Sequence, residues 1–406
     1  MVFQKEGKIM SHFNAVKVSE RVYWVGAIDN SIVDFHGYST HRGTTYNAFL
    51  IMGKTPILID TVKKPFYEEM MARIASIIDP TKIEVIISNH AEMDHSGSLP
   101  QAIQDIQPKK IYASKMGVQA LKAHFHFDDH VITEVNPKEK LTIDDIVLSF
   151  VETRMLHWPD SMFTYLHGDG ILFSQDGFGM HYACHKLFSD QNDHCIMEHE
   201  AKKYFANILM PYANFVKKVF AALPVQNFNI KMIAPDHGPL WNNKNDIEWI
   251  LSLWKEWAEL KASKKVVIIY DTMWNSTAIM ASVIADNISK DIQVKVMPLH
   301  KFHRSDVATE VLDAGALLVG TPTLNGQMFP TLADVLTYLK GLKPKNLMGQ
   351  AFGSYGWAPE GVKLAAKELE VLGVNFVGDP IAINYVPDDQ ALEACALLGK
   401  LVSEQL

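Results

Sequence analysis

The chain has 406 residues, 48% of them hydrophobic, and a net charge of −8 from 38 basic and 46 acidic side chains. This length predicts two or three globular domains, and the mild acidity argues against a nucleic-acid-binding protein or a protein attracted to anionic membranes. The three cysteines, none in a CxxC pair, argue against a disulfide framework and against a cysteine-bound iron–sulfur or rubredoxin-type centre.

The N-terminal segment and the hydropathy of the chain indicate where the protein works. The first 16 residues lack the apolar stretch of a secretory signal peptide. No apolar run approaches the about 20 residues that a membrane span needs. We therefore expect a cytoplasmic protein that has no membrane segment.

Roughly the first 255 residues alternate short β-rich runs with turns and with helical stretches such as 65–78, whose apolar residues recur at helical spacing. Strands outnumber helices, and several polar clusters lie where a predicted strand ends. The predicted strands are 22–28, 46–52, 56–62, 83–90, 111–114, 146–153, 171–176 and 230–237.

The loop after the fourth of these strands holds four potential metal ligands. Residues 88–97 read SNHAEMDHSG, with His90, Glu92, Asp94 and His95 within six positions. Two carboxylates that lie close together repel each other, and their burial beside two imidazoles costs free energy unless a cation offsets the negative charge. The loop therefore indicates a metal site, and the alternative is a solvated turn in which Asp94 caps a helix.

Three more potential ligands lie at or just after the ends of predicted strands. His157 precedes a Trp-Pro pair, Asp176 ends one strand, and His237 ends another and is followed by Gly-Pro. Each of them alone is typical of a polar strand terminus. Together with the loop at 88–97 they predict one composite metal site.

The pattern of predicted strands and helices changes where a second domain begins. A predicted helix runs into a short charged linker around 252–264, and clean βαβ alternation follows. This alternation predicts a parallel sheet covered on both faces, in a flavodoxin-like doubly wound domain that binds its ligand at the carboxyl ends of the strands. The predicted strands are 265–270, 293–299, 316–320, 346–352 and 374–378.

Three loops of this second domain have the composition of a mononucleotide site. The loop 271–277, DTMWNST, precedes a helix, whose N-terminal N–H groups and hydroxyls suit a phosphate; the alternative is that this loop only caps the helix. Two Gly-rich, aromatic loops, 320–327 and 353–361, follow later strands. The sequence has no GxGxxG motif and no phosphate-loop lysine, which argues against a dinucleotide and against a nucleotide hydrolase.

The order H-x-E-x-D-H, followed by His, Asp and His at strand ends, resembles the metallo-β-lactamase-like αββα sandwich. With Glu92 in the second position and a flavodoxin-like domain downstream, the chain resembles the flavodiiron proteins (A-type flavoproteins), and the resemblance covers essentially its whole length. It includes the stretches 41–51, 155–165 and 270–277. It implies an α/β protein with a metallo-β-lactamase-like αββα sandwich over 1–258, followed by a flavodoxin-like doubly wound parallel sheet over 264–406.

The resemblance implies two iron ions per chain. One iron is held by His90, Glu92 and His157, the other by Asp94, His95 and His237, and Asp176 bridges them. Hydrolytic members of this fold typically carry histidine in place of Glu92, which gives a nitrogen-rich site suited to zinc. The carboxylate makes the set of ligands harder and more anionic, which suits redox-active iron. Two metals about 3.5–4 Å apart can each bind one end of a diatomic molecule.

The resemblance also implies FMN rather than FAD, since no second nucleotide site is visible. His181 is a candidate for the surroundings of the metals, and His36 and Tyr204 are weaker candidates for the lining of the metal pocket. The residues implied for FMN are Thr272, Met273, Trp274, Asn275, Ser276 and Thr277 at the phosphate, and Thr321, Pro322, Thr323, Leu324, Asn325, Ser354, Tyr355, Gly356 and Trp357 at the ring.

The implied function is reduction of dioxygen to water, of nitric oxide to nitrous oxide, or of both. The resemblance further implies that the electrons come from an external donor such as rubredoxin or reduced deazaflavin, and that the protein forms a head-to-tail homodimer or a dimer of dimers. One alternative is a zinc hydrolase of the metallo-β-lactamase superfamily with an accessory flavodoxin domain, which Glu92 disfavours. Another is an FMN-binding electron carrier, which would be expected to have lost some of the metal ligands.

Overall fold

A computed structural model describes residues 12–128 and 131–406. These residues form two compact units, and no described helix is both long and apolar enough to cross a membrane. The predicted boundary between 1–258 and 264–406 stays a prediction. The first unit comprises the chain up to Phe35, Thr40–Tyr204 and Asn214–Lys255, and the second comprises His36–Ser39, Phe205–Ala213 and Glu256–Leu406.

Strands dominate the first half of the chain. A seven-stranded sheet has the order β1-β2-β7-β8-β9-β10-β11, a five-stranded sheet has the order β12-β13-β14-β15-β16, and β3 pairs with β6. The strands are β1 (Val16–Lys17), β2 (Val22–Trp24), β3 (Ala27–Asp29), β4 (Asp34–Phe35), β5 (Tyr38–Ser39), β6 (Thr44–Tyr46), β7 (Phe49–Ile51), β8 (Ile57–Ile59), β9 (Val85–Ser88), β10 (Lys110–Ala113), β11 (Thr133–Glu134), β12 (Leu141–Ile143), β13 (Ile146–Glu152), β14 (Met162–Leu166), β15 (Ile171–Gln175) and β16 (Met232–Pro235).

Helices cover the outer faces of these two sheets. A π-helical turn, Phe205–Leu209, follows the fifth helix directly. The helices are α1 (Tyr67–Ala75), α2 (Met93–Ser96), α3 (Leu99–Ile106), α4 (Lys115–Phe125), α5 (His194–Tyr204), α6 (Ala213–Ala222) and α7 (Lys244–Ala258).

Hydrophobic packing orders the first unit into four layers. Between the sheets, Phe49 of β7 meets Phe173 of β15 with ring centroids 5.1 Å apart. On the outer face of the seven-stranded sheet, Met70 of α1 and Leu99 of α3 belong to a second buried cluster. On the other outer face, Phe178 lies between the ring of Phe163 in β14 and that of Trp254 in α7. The layers therefore run helix, sheet, sheet, helix, as predicted for an αββα sandwich.

The second unit is built on a parallel sheet with the order β18-β17-β19-β20-β21, in which β22 also pairs with β20. Every residue from Val266 to Ile269 in the central strand is fully buried, so both faces of the sheet are covered. The elements are β17 (Lys265–Tyr270), β18 (Gln293–Pro298), β19 (Ala316–Gly320), β20 (Met348–Tyr355), β21 (Asn375–Phe376), β22 (Ile381–Asn384), α8 (Ser276–Asp286), α9 (Arg304–Val311), α10 (Pro330–Leu342), α11 (Glu360–Val371) and α12 (Asp389–Gln405).

Most predicted strands end within three residues of the observed ones, and β12 and β14 were not predicted. The predicted strand 22–28 breaks into β2 and β3 around Gly26, where a Cβ atom would lie 2.2 Å from the carbonyl oxygen of Tyr46. The predicted strand 346–352 runs on to Tyr355 as β20. The predicted strand 374–378 shortens to β21, and β22 was not predicted, because it has only four residues, which alternate between half-buried and exposed.

Candidate metal centre and cofactor site

The strand directions bring the predicted metal ligands to one edge of the first unit. In the five-stranded sheet, β13, β15 and β16 run in the same direction, so their carboxyl ends lie at one edge. His157 follows β13, Asp176 follows β15 directly, and His237 lies two residues after β16. The loop with the other four predicted ligands begins at the carboxyl end of β9.

The first group of side chains consists of His90, Glu92, His157 and Asp176, with one ligand atom from each within 4.8 Å of the others. His157 Nε2 lies 3.0 Å from both Glu92 Oε2 and Asp176 Oδ2. His90 Nε2 lies 3.4 Å from Glu92 Oε2 and 3.2 Å from Asp176 Oδ2. These atoms converge on one point, as the ligands of one metal ion do.

The second group consists of Asp94, His95 and His237. Asp94 Oδ1 lies 3.3 Å from His95 Nε2, and Asp94 Oδ2 lies 3.2 Å from His237 Nε2. Asp176 Oδ1 lies 3.2 Å from His95 Nε2 and 3.5 Å from His237 Nε2. One oxygen of Asp176 therefore faces each group, which is the placement that a bridging carboxylate requires.

The loop 88–97 is neither solvated nor capped by Asp94. His90, Glu92, Asp94 and His95 are all buried. Glu92 occupies the N-cap position of the short helix α2, and its side chain makes no capping hydrogen bond there. Asp94 lies inside the first turn of that helix, so the alternative of a solvated turn capped by Asp94 was wrong.

The electrostatics of the two groups require positive charge between the carboxylates. Burial alone would lower the pKa of His157, but the carboxylates of Asp176 and Glu92, each 3.0 Å from its Nε2, raise that pKa to about 9. Burial would raise the pKa of Glu92, but His157 and His90 hold it below its usual range. Without metal ions, protons on the imidazoles must supply this charge.

Metal ions fit these donors better than protons do. Both carboxylate oxygens of Asp94 and of Asp176 are buried and have no hydrogen-bond partner of good geometry among the described residues. His237 Nδ1 lies 2.6 Å from the carbonyl oxygen of Thr45, which can only accept, so Nδ1 carries the hydrogen. If His237 carries only this one hydrogen, the lone pair of its Nε2 faces the carboxylates of Asp94 and Asp176. Histidines that bind metals have this arrangement, with one ring nitrogen donating to an acceptor and the other binding the ion.

A direct hydrogen bond ties together two of the ligand loops. The Gln175 side-chain amide donates to the carbonyl oxygen of Leu156 over 2.6 Å, so the residues next to Asp176 and His157 are joined. Gln175 has φ +43° and Met155 has φ +65°, both in the left-handed region that residues other than glycine rarely adopt. Such strained positions concentrate at functional sites, where the surrounding structure holds them in place.

Two of the three candidates for the surroundings of the metals lie beside the second group. The buried ring of His181 is 4.7 Å from that of His237, and Thr44 Oγ1 lies 2.9 Å from His181 Nδ1. The ring of Tyr204 is 5.1 Å from that of His181, and burial together with the carboxylates of Asp176 and Asp94 raises the pKa of Tyr204 well above its usual range. His36 lies in the second unit, within His36–Ser39.

The second unit has a cavity of about 490 Å³ at the carboxyl ends of its strands, a volume that suits a cofactor. Thr272, Asn275, Thr277 and Thr321 were predicted for FMN but do not line the cavity. Tyr385 and Val386, from the segment after β22, line it and were not predicted. The other lining residues all were: Met273, Trp274, Ser276, Pro322, Thr323, Leu324, Asn325, Ser354, Tyr355, Gly356 and Trp357.

The N-terminus of α8 has the features of a phosphate site. Asn275, at the N-cap position, has φ +68° and makes no side-chain capping hydrogen bond, so the alternative that this loop only caps the helix loses its main support. Thr277 Oγ1 is buried and has no hydrogen-bond partner among the described residues. A phosphate at this helix N-terminus would satisfy that hydroxyl together with the free N–H groups of the first turn.

Two tryptophans at this cavity present broad apolar surfaces to solvent. Trp274 is 89% exposed and Trp357 is 90% exposed, unusual values for large aromatic side chains. A flavin ring in the cavity would offer a flat partner for such rings. Thr321, in contrast, is used inside its own loop, because its hydroxyl accepts from the Phe329 N–H and donates to the Pro322 carbonyl oxygen.

Both halves of the chain are similar to known protein families. A family model described as ODP family beta lactamase matches residues 44–238, and a flavodoxin model matches residues 268–399. A nitric oxide reductase from Moorella thermoacetica is 39% identical over 395 residues, which cover 96% of this chain and 98% of that protein.

Two solved structures are similar over nearly the whole chain. The rubredoxin oxygen:oxidoreductase from Desulfovibrio gigas has a TM-score of 0.93 at 38% identity, covering 97% of this chain and 98% of that chain. The flavodiiron protein from Giardia intestinalis has a TM-score of 0.92 at 31% identity, covering 97% of this chain and 96% of that chain.

Proposed function

We propose, because this chain belongs to the flavodiiron protein family, that it reduces dioxygen to water, nitric oxide to nitrous oxide, or both, with electrons from an external donor. It is an oxidoreductase, and its cofactors are FMN and two iron ions. The observation that carries the proposal is the pair of metal-ligand groups sharing the Asp176 carboxylate, in a chain that also has a flavin-sized cavity.

The proposed ligands divide between the two metal positions as the distances suggest. His90, Glu92 and His157 would hold one iron and Asp94, His95 and His237 the other, with Asp176 between them. Glu92, Asp94 and Asp176 carry three negative charges, and the four positive charges of two divalent cations would more than offset them in a buried site. When bound, the iron pair and the flavin supply the redox chemistry and the storage of electrons.

Backbone and side-chain groups of the protein orient these donors, and their burial keeps water away. Thr45 holds His237 through its carbonyl oxygen, and Gln175 joins the loops of His157 and Asp176. Because the ligands are buried, their charges act in a medium of low dielectric constant, where electrostatic interactions are stronger than in water. The buried Tyr204 hydroxyl, whose pKa is raised, remains protonated at neutral pH and so can donate a hydrogen bond within this site.

Metal exchange tests this proposal against the zinc hydrolase alternative. The metal-free protein is loaded with iron or with zinc at equal stoichiometry, reduced, and assayed for gas consumption and for hydrolysis of lactam and thioester substrates. We expect gas consumption with iron only and no hydrolysis with either metal. Hydrolysis by the zinc form, without gas consumption by the iron form, would establish the alternative.

We expect Thr277→Val to lower the affinity for FMN about three- to tenfold, the cost of one lost hydrogen bond of roughly 1 kcal/mol. Valine has nearly the same shape as threonine and removes only the buried hydroxyl that lacks a partner. FMN titration of the flavin-free protein, followed by fluorescence quenching, measures the change. Ser282→Ala, which removes an exposed hydroxyl of the same helix, is the control. Equal affinity in Thr277→Val and wild type would contradict a phosphate site at this residue.

We further propose a head-to-tail homodimer, alone or as a dimer of dimers, in which the flavin of one protomer serves the iron pair of its partner. In a dimer with two-fold symmetry this arrangement occurs twice, so each dimer has two cross pairs, each made of the flavin of one protomer and the iron pair of the other. The proposed electron donor is rubredoxin, which the name of the Desulfovibrio gigas relative supports, or reduced deazaflavin. The proposed location is the cytoplasm, which the three free cysteines support, and the proposed domains are 1–258 and 264–406.

Mixed dimers test the head-to-tail arrangement. Asp176→Asn removes the metal bridge, and Ser276→Glu places a negative charge where the phosphate binds, at a helix N-terminus that tolerates an acid. Each homodimer is expected to be inactive. The mixed dimer, purified through two different tags, keeps one intact cross pair and should regain about half the wild-type activity. An inactive mixed dimer with full cofactor content at the intact sites would exclude transfer between protomers.

A further inference from the structure

Two imidazoles of the metal groups face buried carboxylates that are not among the proposed ligands. His90 Nδ1 lies 3.0 Å from Asp160 Oδ2, and His95 Nδ1 lies 3.2 Å from Asp236 Oδ2. Each carboxylate lies behind its ring, on the side away from the metal position. The two imidazoles belong to different groups, so each metal position has one such carboxylate.

These two carboxylates are held in different ways. Asp160 Oδ2 also accepts from the Ala91 N–H over 2.7 Å, so backbone geometry fixes it behind His90. Asp236 is fully buried, and neither of its oxygens has a hydrogen-bond partner of good geometry among the described residues. His95 Nδ1 lies 3.2 Å from Asp236 Oδ2 and is itself buried without a hydrogen bond of good geometry to any described residue. A buried carboxylate in such surroundings is costly, and His95 is the group that can offset the cost.

The backbone of Asp236, rather than its side chain, sets its position. The Asp236 N–H donates to the carbonyl oxygen of Gln175 over 2.8 Å, and its carbonyl oxygen accepts from the Asn47 N–H over 2.7 Å. The neighbouring buried carboxylate of Asp60 already has two donors, the N–H and the side-chain amide of Asn89, at 2.6 and 2.7 Å. The carboxylate of Asp236 is therefore left for His95.

We propose that Asp236 is the positioning residue of His95, and that it determines how firmly this histidine holds the second metal position. A neutral imidazole has one N–H, and a carboxylate at Nδ1 takes it, so the Nε2 lone pair faces the metal. Asp160 does the same for His90 through a hydrogen bond of good geometry. Neither ring nitrogen of His95 makes a hydrogen bond of good geometry to a described residue, so Asp236 is the group placed to hold this ring at Nδ1. The inference rests on the proposed metal site.

The test is a cobalt titration of full-length, FMN-loaded protein from which metal has been removed. Visible absorption of bound Co²⁺ reports the number and the surroundings of the metals. In Asp236→Asn we expect one Co²⁺ to bind as in wild type and the other to bind about 10–100-fold more weakly, with a larger loss in Asp236→Ala. In Asp160→Asn we expect the other cobalt position, with its own spectrum, to be weakened.

Two controls separate positioning from a general effect on folding. Asp246→Asn removes a buried carboxylate that accepts from Ser189 and Asn243 and belongs to neither metal group, so cobalt binding should be unchanged. Metal-free Asp236→Asn should keep the far-UV circular dichroism and the FMN content of wild type. Unchanged cobalt binding in both Asp236 variants would overturn the inference, as would an equal weakening of both positions together with loss of FMN. Wild-type protein that binds fewer than two cobalt ions would instead refute the proposed metal site, and the inference with it.

Discussion

Asp176→Asn is expected to remove iron from both positions and to abolish gas reduction, while FMN binding stays at the wild-type level. Asp176 is the one residue with an oxygen facing each ligand group, so its charge serves both metals. Loss of a residue that only orients a ligand costs about 10–100-fold in metal affinity, and loss of a shared ligand must cost at least as much. Iron and FMN content per chain, measured on protein purified under the same conditions, give the result directly.

Asp246→Asn is the matched variant, because it makes the same chemical change at another buried aspartate of the first unit. It should keep both irons. Two irons per chain in Asp176→Asn, with wild-type turnover, would show that Asp176 does not bridge the metals. Loss of FMN as well as iron in Asp176→Asn would indicate that the change acts on the whole fold.

Glu92→His is expected to exchange the metal preference of one position and to leave the other position largely intact. The variant replaces a carboxylate that lies 3.0 Å from His157 Nε2 by a third imidazole, which makes the donors softer and removes one negative charge. We expect about half of the iron to be lost, zinc to take its place, and gas reduction to fall by at least about a hundredfold, because both metals are needed at once.

Metal analysis after growth with equal iron and zinc, followed by turnover assays, measures both effects. Glu92→Gln is the companion variant, since it removes the charge but keeps an oxygen donor. It should lose iron without gaining zinc. Unchanged iron content and turnover in Glu92→His would refute the role assigned to this glutamate.

The parallel sheet of the second unit was predictable because its strands β17 and β19 are continuous apolar runs bounded by loops. The strands 265–270 and 316–320 were predicted with the same ends that β17 and β19 have. β22 was missed because only alternate residues face inward, and four residues with that pattern look like a loop. In the first unit, the close approach of Gly26 to Tyr46 divided a run that the sequence presents as one strand.

The clustering of the proposed metal ligands was predictable because four of them are close in sequence and the others end strands. Their acceptors were not, since Asp160 lies 70 residues from His90 and Asp236 lies far from His95 in sequence. The adjacent pair Asp236-His237 did point to such an acceptor, because an aspartate next to a buried metal ligand is itself expected to be buried and then needs a hydrogen-bond donor. In the same way, Tyr385 lines the cavity of the second unit and directly follows β22, the strand that was missed.

The resemblance to flavodiiron proteins, based on the ligand order and on Glu92, is confirmed by relatives that align over nearly the whole chain. It extended the prediction to features that local patterns do not determine, such as the pairing of an iron centre with FMN. The individual ligand and FMN contacts remain proposals, supported by the distances between donors and by the cavity.

The most direct test of this account is gas consumption by fully reduced protein with quantified iron and FMN, in matched oxygen and nitric oxide electrode assays. The account predicts rapid consumption of at least one gas, at a rate that scales with iron content and is absent in Asp176→Asn. Faster consumption of dioxygen would identify an oxygen reductase, and faster consumption of nitric oxide a nitric oxide reductase. If neither gas is consumed with two irons and one FMN bound per chain, the proposed function is wrong.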